Sequence, residues 1–389
     1  MSIRGKACIV GAYEHPVRHA PQHSLAQLHA DVARGALADS GLTKDDIDGY
    51  FCAGDSPGAN PWSMANYLNL KRLRHIDSTD MGGCSYLIHV AHAAQAIALG
   101  KCNVALITLA GRPRSEGVSG TQVRVRGSSL PETPFEIPYR PVTLNLYAMC
   151  AMRHMHEFGT TSEQLAWIKV AASRHAQYNP NAMLRDVVSV DDVLASPLIA
   201  DPLRRMDSCV VTDGGGAIIV ARPEIARSLK RPVVTVLGAG ETTKHQDGGE
   251  IDLTYTGAAW TGPRAFEEAG VTPADIDYAS IYDSFTITVL LQLEDLGFCK
   301  KGEGGKFVSD GNLISGVGRL PFNTDGGGLC NNHPSNRGGM TKIIEAVRQL
   351  RGEAHPKVQV PDCELALATG IGGAIGHRHG AATLIMGRG

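Results

Sequence analysis

Short apolar runs bounded by turn residues predict strands at residues 7–11, 104–109, 232–238 and 364–368. Runs of this length without polar alternation suit strands covered on both faces. Between residues 84 and 99 the chain is apolar on nearly every side, through Tyr86, Leu87, Ile88, Val90, Ala91, Ala93, Ala94, Ala96 and Ile97, and Gly100 follows. Such a stretch predicts a buried helix closed by glycine. Met340, Ile343, Ile344, Val347 and Leu350 instead recur on one face, predicting an amphipathic helix. Strands alternating with helices give an α/β chain.

Two windows echo one another. Residues 36–48 read ALADSGLTKDDID and residues 265–277 read AFEEAGVTPADID. Gly41, Thr43, Asp46, Ile47 and Asp48 match Gly270, Thr272, Asp275, Ile276 and Asp277 at one constant offset. Each copy predicts a helix ended by glycine, a turn with a short helix, and a strand. Because the flanking elements recur in the same order, the expectation is two duplicated α/β halves, residues 1–230 and 231–389. Residues of about 112–200 have no counterpart in the second half. With Pro131, Pro134, Pro138 and Pro141 followed by helical stretches, they predict a loop-domain insertion beside a functional site.

At 389 residues the chain is long enough for two cores, and a formal net charge of -2 offers no broad basic field for nucleic acid. No run of 18 apolar residues occurs, so no membrane span is expected. The nine cysteines are scattered and show no metal-ligand spacing, which points to a reducing, cytoplasmic setting without a metal site or permanently bound cofactor.

Candidate chemistry clusters at four places. Gly82-Gly83-Cys84 opens the apolar helix, where free N–H groups can hold an oxyanion or lower a thiol pKa; Cys84 is a candidate nucleophile or a small buried hydrophobe. His89 and His92 lie three apart on that helix and read as structural histidines. Residues 370–376, GIGGAIG, predict a flexible loop whose Gly372 and Gly373 N–H groups could face a thioester oxygen. Tyr282-Asp283-Ser284-Phe285 follows the strand of the second echo, and His333 follows the Gly-rich residues 325–332.

The segments SPLIADPL (196–203), MDSCVVTDGG (206–215) and HAQYNP (175–180) resemble the thiolases, particularly the sterol-carrier-protein-type thiolases and the lipid-transfer-protein aldolases. That resemblance spans nearly the whole chain and implies a layered αβαβα thiolase-like fold, a coenzyme A thioester substrate, a homodimer, and a small partner protein with an OB-fold and a zinc ribbon. Family members place a nucleophilic Cys seventeen residues before the glycine that ends the buried helix; here that position is Gly83, and Cys84 is one residue late. The motif His-Asp-Cys-Phe of sterol-carrier-type thiolases stands here as Tyr282-Asp283-Ser284-Phe285, while the Gly-His-Pro histidine is kept as His333. The cysteine that precedes the terminal Gly-rich segment in classical thiolases is replaced by Gly370.

Three readings follow. The favoured one is retro-aldol cleavage of a β-hydroxyacyl-CoA, with Tyr282 as acid/base, His333 as enolate stabiliser or relay, and N–H groups around Gly83 and Gly372 or Gly373 as oxyanion sites. The second is a Cys-dependent acyltransferase using Cys84 with His333 as its base. The third is an inactive subunit that binds lipid-CoA or scaffolds a partner.

Overall fold

The computed structural model describes all residues except Met1, Asp55 and residues 119–132, 140–141, 246, 248–249, 335–337 and 377. The strands are β1 (Cys8–Glu14), β2 (Gly49–Phe51), β3 (His75–Asp77), β4 (Val104–Gly111), β5 (Leu198–Ala200), β6 (Leu203–Arg204), β7 (Gly214–Ala221), β8 (Val234–Lys244), β9 (Tyr278–Ser280), β10 (Leu365–Gly373) and β11 (His379–Arg388). The helices that frame the site are α1 (Leu25–Ser40), α2 (Ser85–Ala98), α3 (Thr143–Phe158), α4 (Ser162–Ala176), α5 (Ala258–Ala269), α6 (Thr286–Asp295) and α7 (Gly339–Arg351).

Nine strands hydrogen-bond in the order β3-β2-β4-β7-β1-β8-β11-β10-β9. The seam between the two duplicated strand groups is narrow, since β1 and β8 pair only at Cys8 with Thr235 and Ile9 with Val234. Helices α2 and α7 pack on each other and on strands from both sides of the seam, while α1 covers β1, β4 and β7 and α5 covers β8 and β11. This explains why α2 is apolar almost all round: every residue from Ser85 to Ile97 except His92 and Gln95 is buried. Each large apolar side chain buried there contributes roughly 1.5–3 kcal/mol.

The echo has a physical content. Helices α1 and α5 both end at a left-handed glycine, Gly41 at φ 76° and Gly270 at φ 66°. Asp46 takes both the N–H and the hydroxyl of Thr43 at 2.8 Å, and Asp275 does the same for Thr272 at 2.8 and 2.7 Å. The last aspartate of each copy then holds the start of a neighbouring strand. Asp48 accepts from the N–H groups of Asn103 and Val104 at 2.7 and 2.8 Å, and Asp277 from those of Glu364 and Leu365, both at 2.9 Å.

One expectation needs correcting. The Gly-rich residues 370–373 are not a loop; β10 runs unbroken from Leu365 to Gly373, each residue facing one on β11. Glycine's weak strand preference is overridden because the opposing residues, Gly380, Ala381 and Ala382, are equally small and the ladder can continue. The insertion is pinned at its start by Asp213, whose carboxylate accepts from the Arg114, Ser115 and Ala20 N–H groups at 2.9, 3.1 and 2.7 Å. Pro131 and Pro141 lie outside the described residues. Among the described residues no helix is long and apolar enough to cross a membrane.

The two helix histidines are structural, as expected. His89 is buried with Nε2 2.9 Å from the Thr79 carbonyl. His92 bridges the seam, with Nδ1 2.8 Å from Asp77 on β3 and Nε2 3.1 Å from Glu241 on β8. Its two carboxylate partners hold its pKa up at about 9, and it in turn helps hold Asp77 down at about 2. A histidine whose folded pKa is raised adds stability that is complete below its ordinary value of about 6.5 and lost as pH rises through about 9. Since Glu241 is half exposed, the gain is about 1–2 kcal/mol. His92→Asn therefore lowers the melting temperature near neutral and mildly acid pH, and a pH series of melting curves should find the two proteins converging above pH 9.

Candidate active site

The α2 N-terminus, the end of β9, the His333 segment and the end of β10 meet at one place. The chain enters α2 through a single 3-10 turn, Gly82–Cys84. β9 ends at Ser280, and the next residues are clamped from the side. Asn323 accepts from the Ile281 N–H and donates to the Ile281 carbonyl, both at 2.8 Å, and Gln292 donates to the Tyr282 carbonyl at 2.7 Å. Tyr282 is thereby aimed across the turn, and its hydroxyl lies 3.0 Å from Nε2 of His333.

Gly83 explains how the tyrosine fits. A Cβ at residue 83 would run into the Tyr282 hydroxyl, the Tyr282 ring and the Ile371 carbonyl, far closer than non-bonded atoms can sit. The phenol fills the space a side chain at position 83 would need. Similar closeness recurs around it: a Cβ at Gly339 would strike the Gly83 carbonyl, one at Gly372 the Met81 carbonyl, and one at Gly370 would lie 3.0 Å from the Cys84 Cα. The site is therefore walled largely by backbone, with no space for a cysteine at 83 beside the present tyrosine and a tight fit for one at 370.

Cys84 lies next to Gly83, with its thiol bonded to backbone rather than to either member of the pair. Its thiol donates to the Met81 carbonyl at 3.1 Å, is fully buried, and is pushed up to about 12 by that burial. A thiolate is the nucleophilic form, so the surroundings oppose the nucleophile reading. The helix-start effect that could have lowered the pKa loses to desolvation.

Desolvation also sets the charge of the pair. Burial raises the Tyr282 phenol well above its ordinary value, partly opposed by the Gly338 N–H, and lowers His333 to about 4. Both groups are neutral at pH 7, sharing one hydrogen bond. Asp283, adjacent to Tyr282, turns the other way and anchors the Gly-rich stretch. Its carboxylate accepts from the Gly328 and Leu329 N–H groups at 2.8 and 3.1 Å and pairs with the buried Lys342 at 2.6 Å. In the sequence Asp283 stands out only as part of the Tyr282-Asp283-Ser284-Phe285 motif, and Lys342 does not stand out at all; an acidic residue directly after Tyr282, just past a strand end, was the available signal.

Of the glycine N–H candidates, the ladder separates two. Ala374 N–H donates to the Arg378 carbonyl at 2.9 Å, so antiparallel alternation makes Gly372 and Gly380 a bonded pair and leaves the Gly373 N–H turned from β11. A Cβ on Gly82 would lie 3.2 Å from the Gly373 nitrogen, which places that N–H beside the α2 turn. The ladder thus engages the Gly372 N–H and leaves that of Gly373 facing the α2 turn.

Two outcomes are expected. Gly83→Ala displaces Tyr282, costing about 1–3 kcal/mol of stability in thermal melts. Iodoacetamide at about pH 8 leaves Cys84 unmodified in the folded protein and labels it in denaturant, read by peptide mapping; rapid native labelling would contradict the buried, protonated thiol.

Residues 240–388 match the family model "Thiolase C-terminal domain-like". The chain is 35% identical over 385 residues to a 17-hydroxy-3-oxo-4-pregnene-20-carboxyl-CoA lyase of Mycobacterium tuberculosis, covering 95% of this chain and 98% of the relative. It is 34% identical over 365 residues to a steroid side-chain-cleaving aldolase of Thermomonospora curvata, covering 90% and 91%. The solved structure of an Ltp2-ChsH2(DUF35) aldolase superposes with a TM-score of 0.89 at 31% identity, over 99% of this chain and 98% of that one. The layered fold, the sequence relatives and the structural likeness together establish that the chain belongs to the thiolase superfamily, in the branch of sterol-carrier-type thiolases and lipid-transfer aldolases, whose members are acyl-CoA carbon–carbon lyases and acyltransferases.

Proposed function

We propose that the chain cleaves a β-hydroxyacyl-CoA by retro-aldol chemistry, releasing a carbonyl compound and a shortened acyl-CoA. The observation that carries this reading is the 3.0 Å contact of Tyr282 with His333, seated against Gly83 where the family's nucleophilic cysteine would stand. The names of the relatives, a CoA lyase and a side-chain-cleaving aldolase, support it and favour a steroid-like acyl chain.

Retro-aldol cleavage moves one proton from the β-hydroxyl to the α-carbon and consumes no nucleophile. A neutral phenol–imidazole pair suits that requirement. The substrate hydroxyl gives its proton to Tyr282 Oη as the tyrosine's own proton passes to His333 Nε2. The Cα–Cβ electron pair leaves as the thioester enolate, and the β-carbon becomes a carbonyl. The proton then returns through Tyr282 to the α-carbon, restoring the pair. Backbone N–H groups of Gly83 and Gly373 would hold the enolate oxygen, and the Asp283 carboxylate near the ring favours the transient imidazolium. Relaying the proton avoids forming a free tyrosinate, which burial makes costly.

The free edge of β3 supports a homodimer: it ends the sheet, with Trp62, Tyr67 and Ile76 exposed around it. The exposed Met149, Met152, Leu198 and Ile199 on the insertion support docking of a small partner protein. All nine cysteines are free, which supports a cytoplasmic setting.

Tyr282→Phe and His333→Gln each lower turnover of a β-hydroxyacyl-CoA by about 10²–10⁴-fold, while Cys84→Ala leaves it within a few fold. A Cys84→Ala variant that is inert, together with an acyl adduct on that cysteine in the parent, would overturn the proposal. Because His333 is neutral above about pH 4, turnover falls on the acid side only on approach to that value, measurable as kcat against pH.

A further inference from the structure

His333 lies in a stretch without regular secondary structure, so its backbone must be fixed by something other than a ladder. Side chains from the first half of the chain do this. The His333 N–H donates to Thr212 Oγ1 at 2.9 Å, the Thr212 hydroxyl donates to Asn332 Oδ1 at 2.7 Å, and Asn332 Nδ2 donates to Glu14 Oε1 at 2.9 Å. Asn331 Nδ2 reaches the same Glu14 oxygen at 3.2 Å. Arg18 closes the arrangement, donating to Glu14 at 2.8 Å and to Asn331 Oδ1 and the Asn331 carbonyl at 2.7 and 3.1 Å. Glu14, Thr212, Asn331 and Asn332 are all buried.

The order of donors is dictated from one end. An ionised carboxylate only accepts, so Glu14 forces the NH₂ end of Asn332 toward itself. The Asn332 oxygen must then face Thr212, whose single hydroxyl proton is committed to it. What remains on Thr212 is lone pairs, and these meet the His333 N–H. Remove the charge on Glu14 and the amide of Asn332 is free to turn over, which would point an N–H at Thr212 and set it competing with the His333 N–H, itself only a donor, for the Thr212 oxygen. Arg18 and Arg348 keep Glu14 ionised against the effect of its burial.

We infer that Glu14, acting through Asn332 and Thr212, is a positioning residue that sets the placement of the His333 ring against Tyr282. The inference rests on the reading of Tyr282 and His333 as the proton-moving pair. The end of β1 and Thr212 thereby join a site whose other parts come from α2 and the second half of the chain.

The test compares Thr212→Val, Thr212→Ser and Glu14→Gln in the full chain. Thr212→Val keeps the shape and removes the hydroxyl without touching the Glu14 ion pairs, so it remains informative if Glu14→Gln does not fold. Expected for Thr212→Val is a kcat lower by about 10²-fold with KM for the β-hydroxyacyl-CoA within about twofold, and recovery to within a few fold in Thr212→Ser. A second readout is free of the reaction: the imidazole NMR signals of His333, assigned by their loss in His333→Gln, shift in Thr212→Val and Glu14→Gln and stay in place in Thr212→Ser. Unmoved ring signals, or parental kcat in Thr212→Val, would overturn the inference. Ring signals that move as expected in a protein that cleaves no β-hydroxyacyl-CoA would uphold the positioning role and sink the retro-aldol reading instead.

Discussion

At position 83 the backbone of the α2 turn and the phenol of Tyr282 compete for one volume, and the absence of a side chain decides the competition. With glycine there, the hydroxyl reaches inward to His333; with any β-carbon there, it could not. The same closeness extends to Gly339, Gly370 and Gly372, so that turn, strand end and helix α7 approach to backbone contact. Cys84 is the one thiol at the helix start, and it turns to the Met81 carbonyl because the space beside it is taken. In the proposed reading, a phenol at this site takes the place of a sulfur nucleophile.

Burial then fixes what that acid can do. A phenol raised by desolvation and an imidazole lowered by it share a proton without separating charge. Such a pair is poorly suited to generate a nucleophile and well suited to pass one proton along and take it back. Around it, buried carboxylates meet cations: Asp283 with Lys342, and Glu14 with Arg18 and Arg348. The Asp283–Lys342 and Glu14–Arg348 pairs tie segments distant in the chain, which is where buried charge serves specificity of arrangement more than stability.

The fold was readable in the sequence because its signals are local. The glycine that ends each echo helix, the threonine–aspartate turn and the strand-anchoring aspartate are each legible within a few residues, and they recur at Gly41 to Asp48 and Gly270 to Asp277. The buried helix announced itself by lacking a polar face. The Gly-rich tail misled, since glycine's own preference points to a loop and only pairing with β11 makes it strand. Tyr282 and His333 could be singled out by motif and assigned to one site by resemblance, but not their direct hydrogen bond, because 51 residues separate them. Glu14 and Lys342 gave no signal, and Thr212 only its place in the segment 206–215: a carboxylate, an amine and a hydroxyl that matter through partners far along the chain look like any others in sequence.

The central claim, that this site breaks a carbon–carbon bond with a buried phenol and without an acyl-enzyme, is tested most directly by the fate of a β-hydroxyacyl-CoA in heavy water with no free coenzyme A added. The account predicts release of the carbonyl fragment together with a shortened acyl-CoA carrying one deuterium at its α-carbon. Absence of cleavage under those conditions, with a β-ketoacyl-CoA instead consumed only when free coenzyme A is supplied and an acyl group found on a cysteine, would contradict it.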